Sequence, residues 1–87
     1  MADITIYTTR FCPYCVRAKR LLDSKQVSYH EIPVDSDNEQ RQIMMERSQG
    51  HTVPQIFINE EHVGGCDELY ALEAAGQLDQ RLGLSDA

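Results

Sequence analysis

The chain has 87 residues, 41% of them hydrophobic and 25% charged, with a formal net charge of −6. That length accommodates one compact domain over residues 1–87, and the absence of a Pro-, Gly- or Ser-rich tract leaves no linker or tail. The acidic balance argues against nucleic acid as a partner, because phosphate binding needs clustered cations, and no apolar run approaches bilayer length, which argues against a membrane.

In chain order, Met1-Ala2-Asp3 lacks a basic n-region, an apolar h-region and a cleavage site, which points to a cytoplasmic location. Asp3 to Thr8 is β-branched and aromatic, with Ile4, Ile6 and Thr8 sharing a face, and predicts a strand. Pro13 suits a first helical position, where its missing N–H is no loss. A helix then runs to Ser24, with Cys15, Ala18, Leu21 and Leu22 as its buried stripe and Arg17, Lys19 and Arg20 facing water. Val27 to Val34 returns to alternation and reads as a second strand, shorter than its apolar run, with Pro33 as an edge or strand-end signal. Ser36-x-x-Glu39 has the capping-box pattern and predicts a helix over 37–48, in which Met44 and Met45 fill the core. Gln55 to Ile58, an Asn59-Glu60 turn and His62-Val63 describe a hairpin, ended by Gly64-Gly65. Asp67 to Ala75 carries apolar residues at helical spacing, and a short helical turn covers Leu78 to Leu82.

The order strand, helix, strand, helix, strand, strand, helix implies a right-handed parallel crossover followed by an antiparallel hairpin. The expected class is α/β: a mixed four-stranded sheet flanked by three or more helices, an arrangement similar to the thioredoxin-like fold.

Chemistry concentrates at Cys12-Pro13-Tyr14-Cys15, which follows the first strand and opens the first helix. The first sulfur then meets unpaired backbone N–H groups and the positive end of the helix macrodipole, which favour thiolate, the reactive form. The second sulfur follows within one turn and can close a disulfide ring with it. Cys66 reads as a small buried hydrophobe. His30, His51 and His62 have no metal-ligand spacing to the cysteines, so no metal is expected.

Three separated blocks resemble the dithiol glutaredoxin family: Cys12-Pro13-Tyr14-Cys15, Thr52-Val53-Pro54, and Gly64-Gly65-Cys66-Asp67. The resemblance covers nearly the whole chain and implies a glutathione-dependent thiol–disulfide oxidoreductase. Glutathione would be the co-substrate, and disulfide-containing or glutathionylated proteins the partners of a monomeric enzyme. It implies that Cys12 is the nucleophile and Cys15 the resolving cysteine. It also implies a glutathione site in which Arg41 faces the glycine carboxylate, the Cys66 and Asp67 amides take the γ-glutamyl carboxylate, and Asp67 accepts from the α-amine. Pro54 would be cis, turning the Val53 backbone toward the ligand beside Thr52, with Tyr14 packed along it. The family commonly has a lysine three residues before the first active-site cysteine. Thr9 stands there, so Arg10 is the nearby cation. An alternative from another class is a carrier of an iron–sulfur cluster ligated by Cys12 and glutathione from two subunits.

Overall fold

A computed structural model describes residues 2–84. Along the chain lie β1 (Ile4–Thr8), α1 (Pro13–Ser24), β2 (His30–Pro33), α2 (Asn38–Ser48), β3 (Gln55–Ile58), β4 (Glu61–Gly64), α3 (Cys66–Ala74) and α4 (Leu78–Arg81). The strands form one sheet in the order β2-β1-β3-β4. β1 runs parallel to β2, with Thr5 opposite His30, and antiparallel to β3, with Ile4 opposite Ile58. β3 and β4 form the expected antiparallel hairpin. The mixed four-stranded sheet is therefore the one that the sequence order implies.

Alternation along β1 and β3 separates two cores. On one face Ile4, Ile6, Ile56 and Ile58 pack with Ala18, Leu21 and Leu22 of α1, Leu69 of α3, and Leu78 and Leu82 at the C-terminal turn. On the other, Tyr7 and Phe57 pack with Val34 and Met44. Arg47 of α2 closes that second face. Its guanidinium lies 4.1 Å from the centroid of the Phe57 ring and donates to the Tyr7 hydroxyl at 2.7 Å, so the cation is held by stacking as well as by a hydrogen bond. Lys25, just past α1, ties three elements together, with Nζ 2.8 Å from Glu73 and 2.7 Å from Asp79.

Element ends differ from the sequence reading in ways that have physical causes. β2 starts at His30, because β1 offers it only the positions Thr5 to Thr8. Val27 and Tyr29 instead pack against the core. The cap of α2 is Asp37, whose Oδ1 accepts from the Gln40 N–H at 3.1 Å, so the capping pattern sits one residue later than Ser36-x-x-Glu39. α3 begins at Cys66. Met44 is buried as expected, but Met45 is exposed.

The hairpin turn uses two left-handed residues, Asn59 (φ 51°) and Glu60 (φ 68°), the geometry that matches the twist of the flanking strands. Asn59 suits it and also links to Asp3: its N–H donates to the Asp3 carbonyl at 2.7 Å, and its Oδ1 accepts from the Asp3 N–H at 2.9 Å. Glu60 has no such compensation among the described residues. Glu60→Gly should therefore raise stability by roughly 0.5–1 kcal/mol, measured as a higher denaturant midpoint at unchanged slope; a lower midpoint would contradict this account.

Candidate active site

The site is built where β1 passes into α1. Cys12 takes an extended conformation (φ −130°, ψ 100°) and serves as the N-cap: its Sγ accepts from the Cys15 N–H at 3.1 Å. Its carbonyl accepts the Val16 N–H at 3.1 Å. A cysteine thus occupies the position usually held by Ser, Thr, Asp or Asn, and its sulfur faces the positive end of a twelve-residue helix. On its other side the Cys12 thiol donates to the Val53 carbonyl at 3.8 Å.

The two sulfurs are unequal. Cys12 is 8% exposed and Cys15 1%, the latter lying on the inner stripe of α1. Burial, reinforced by the hydrogen bond with Cys12, pushes the Cys15 thiol up to about 12, against opposing contributions from the Thr9 backbone and the Lys19 ammonium. Cys15 is held as a neutral thiol.

The second and third blocks meet the first. The Val53–Pro54 peptide is cis, as the resemblance implied. Pro54 is buried and Val53 half-buried. A Cβ on Gly65 would come within 3.4 Å of the Pro54 carbonyl and 3.3 Å of Glu68 Oε1, so glycine lets the start of α3 approach this loop. Gly64 has φ +123°, and a Cβ there would meet the Glu68 side chain at 2.8 Å. Glu68 reaches back to accept the Gly65 N–H at 2.6 Å. The first helical bond of α3 runs from the Leu69 N–H to the Gly65 carbonyl, which leaves the Cys66, Asp67 and Glu68 amides without an intrahelical acceptor. Cys66 is buried, as expected of it, and burial pushes its thiol up; the Arg17 cation opposes this and the Asp67 carboxylate adds to it. Cys12, Val53, Pro54, Cys66 and Asp67 therefore belong to one end of the molecule.

Arg10 is engaged by Asp35, to which its backbone N–H donates at 3.2 Å and its Nε at 3.1 Å. The Arg10 backbone and guanidinium hold that carboxyl below its ordinary value. Arg41 is half-buried in the first turns of α2, and no hydrogen bond or ion pair among the described residues joins it to the cysteines. Thr52 is exposed, and its carbonyl accepts from Gln55 Nε2 at 3.0 Å. Tyr14 is 55% exposed at the start of α1.

One cluster escaped the sequence reading. Lys19 does not simply face water; its Nζ donates to Glu31 Oε2 at 2.9 Å, and the buried Thr8 hydroxyl donates to the same oxygen at 2.9 Å. Burial pushes the Glu31 carboxyl up, but the hydrogen bonds from Lys19 and Thr8 outweigh it and leave it below its ordinary value. The available signal was spacing: Lys19 lies one helical turn after Cys15.

Comparison with known proteins decides the family. The glutaredoxin family model matches residues 4–63, and the chain is 56% identical over 82 residues to glutaredoxin 3 of Escherichia coli K12, covering 94% of this chain and 99% of that one. The chain belongs to the glutaredoxin family. A glutaredoxin of Pseudomonas aeruginosa is 52% identical over 82 residues, with coverage of 94% and 98%. Among solved structures, the glutaredoxin of Brucella melitensis superposes with a TM-score of 0.84 at 50% identity, covering 100% of this chain and 95% of that one. The buckwheat glutaredoxin–glutathione complex gives 0.86 at 27% identity, with coverage of 94% and 77%. The fold is thioredoxin-like and the activity is that of a glutaredoxin thiol–disulfide oxidoreductase. Among the described residues no helix is long and apolar enough to cross a membrane.

The state of Cys15 has a consequence for stability. An unfolded chain ionises this thiol at about 8.5, whereas the folded protein keeps its proton to about 12. Between those values the unfolded state has lost a proton that the native state retains, so stability falls as pH rises. The melting temperature of the reduced protein should decline from about pH 8.5 to 10, with a shallower slope in Cys15→Ala; equal slopes would contradict the burial assigned to Cys15.

Proposed function

We propose that this glutaredoxin reduces protein–glutathione mixed disulfides and protein disulfides, with glutathione as co-substrate and Cys12 as nucleophile. The observation that carries the reading is the Cys12 sulfur as N-cap of α1, accepting the Cys15 amide at 3.1 Å. That place favours negative charge on sulfur.

With a glutathionylated protein, the Cys12 thiolate attacks the glutathione sulfur. The S–S bond breaks, the protein thiolate leaves with the electron pair and takes up a proton, and Cys12 holds glutathione as a mixed disulfide. A second glutathione thiolate attacks that disulfide, forming oxidised glutathione and restoring the Cys12 thiolate. With a protein disulfide, Cys12 forms a mixed disulfide with one substrate sulfur. Cys15 then attacks the Cys12 sulfur, releasing the reduced substrate and leaving a Cys12–Cys15 disulfide that two glutathione molecules reduce. The neutral, buried state of Cys15 suits this order, because Cys15 becomes a nucleophile only after its proton is drawn off within the mixed disulfide.

The glutathione site in this reading follows the end of the molecule described above. The Cys66 and Asp67 amides receive the γ-glutamyl carboxylate, the Asp67 carboxylate accepts from the α-amine, and the Val53 N–H pairs with the cysteinyl backbone beside Thr52 and Pro54. Tyr14 packs along the ligand beside the active-site sulfur, and Arg41 takes the glycine carboxylate. Arg10 contributes least, since Asp35 already holds it. The enzyme works as a monomer in the cytoplasm, where a reducing poise keeps both thiols reduced.

Three measurements test this. With glutathione, glutathione reductase and NADPH present, Cys12→Ser should lose on the order of 10³-fold or more in every reduction. Cys15→Ser should keep deglutathionylation and lose protein-disulfide reduction; equal loss of both would refute the two-cycle mechanism. Arg41→Gln should raise the KM for glutathione about tenfold with kcat little changed, and an unchanged KM would remove Arg41 from the site. A brown dimer from anaerobic purification would favour the cluster carrier instead.

A further inference from the structure

Large apolar side chains are exposed at only five places among the described residues, and three of them, Phe11, Tyr14 and Val16, fall within six residues around the two redox sulfurs. Phe11, immediately before Cys12, is 93% exposed. Scattered exposed hydrophobes need no explanation, but a cluster at a reactive atom does.

Charge is equally uneven. Half of the eight Lys and Arg residues lie between positions 10 and 20, and none of the fourteen acids lies between positions 4 and 22. Arg10 and Lys19 are engaged by Asp35 and Glu31. Arg17 rests over the Tyr70 ring at 5.5 Å, and neither it nor Arg20 has an ion pair among the described residues. Pro13, Val16, Arg17 and Arg20 follow the spacing i, i+3, i+4, i+7, so they share the outer face of α1, opposite Cys15, Ala18 and Leu22. An apolar rim at the sulfur thus continues into two cations that form no ion pair among the described residues, on an otherwise acidic molecule.

The geometry points to a docking surface for the protein substrate, formed by Phe11, Val16, Arg17 and Arg20, that selects an acidic segment with an apolar residue beside its oxidised cysteine. This assignment rests on the thiol–disulfide reading above and adds to it a class of partner. Phe11 and Val16 supply the apolar contact next to the sulfur being attacked. Arg17 and Arg20 lie five and eight residues beyond Cys12, roughly 7–12 Å along the helix. An extended substrate advancing about 3.3 Å per residue places its acidic side chain some two to four residues from its cysteine. Such a local positive patch steers an acidic partner toward the sulfur even though the molecule as a whole is negative.

The test uses the full chain with two glutathionylated peptides that share a Cys-Leu pair and differ only in carrying Glu or Lys three residues from the cysteine. Bis(2-hydroxyethyl) disulfide, which has no peptide to dock, is the reference. At low ionic strength the Glu peptide should have a kcat/KM about tenfold above the Lys peptide, and added salt should close the gap. Arg20→Glu should abolish the preference, and Phe11→Ser should lower both peptides about threefold to tenfold, while both variants turn over the reference disulfide normally. Equal kcat/KM for the two peptides, or a preference that survives Arg20→Glu, with the reference still reduced, overturns the docking surface alone. Failure of the wild-type protein to reduce the reference disulfide would overturn the redox reading beneath it.

Discussion

The structure turns on a sulfur used as a helix cap. A hydroxyl or carboxylate in the Cys12 position would satisfy the Cys15 amide equally well and would do no chemistry. Cysteine makes the same hydrogen bond with a polarisable, oxidisable atom, so the contact that starts the helix also aims a backbone N–H at that sulfur. The rest of the fold keeps that contact in place. β1, buried at the centre of the sheet, delivers the chain to the sheet's end, and the inner stripe of α1 anchors the helix to the core through Ala18, Leu21 and Leu22. The sulfur's environment is therefore as rigid as the core behind it.

Two neighbouring thiols are made different by depth and by the helix-cap contact that Cys12 makes. Cys12 sits at the rim, and Cys15, three residues on, falls on the face that packs inward. Burial disfavours the charged form of the second thiol, and the Thr9 backbone and the Lys19 ammonium offset this only in part. The difference in depth between the two sulfurs follows from the angular position of Cys15 on α1.

Much of this was legible in the chain. Alternation in β1 and β3, the Pro13 helix start and the Asn59-Glu60 turn gave the order of elements, and three short blocks gave the residues that gather around Cys12. Local patterns could not resolve choices made by distant partners. Ser36 and Asp37 are both good caps, and which one serves depends on where α2 seats against the sheet. Lys19 reads as solvated because its partner, Glu31, comes from a strand twelve residues away. Arg10 reads as an unpaired cation because its partner, Asp35, lies in the turn after β2, distant in sequence. Arg47 gave no sign of lying on Phe57, since nothing in the sequence of α2 marks that face as aromatic. Register and charge pairing across the sheet are properties of the assembled fold.

Pro33 closes β2 on an outer margin of the sheet. Lacking a donor there, the margin is interrupted as a template for a further strand. A thiol–disulfide oxidoreductase is thereby spared one route to lasting adhesion with other chains.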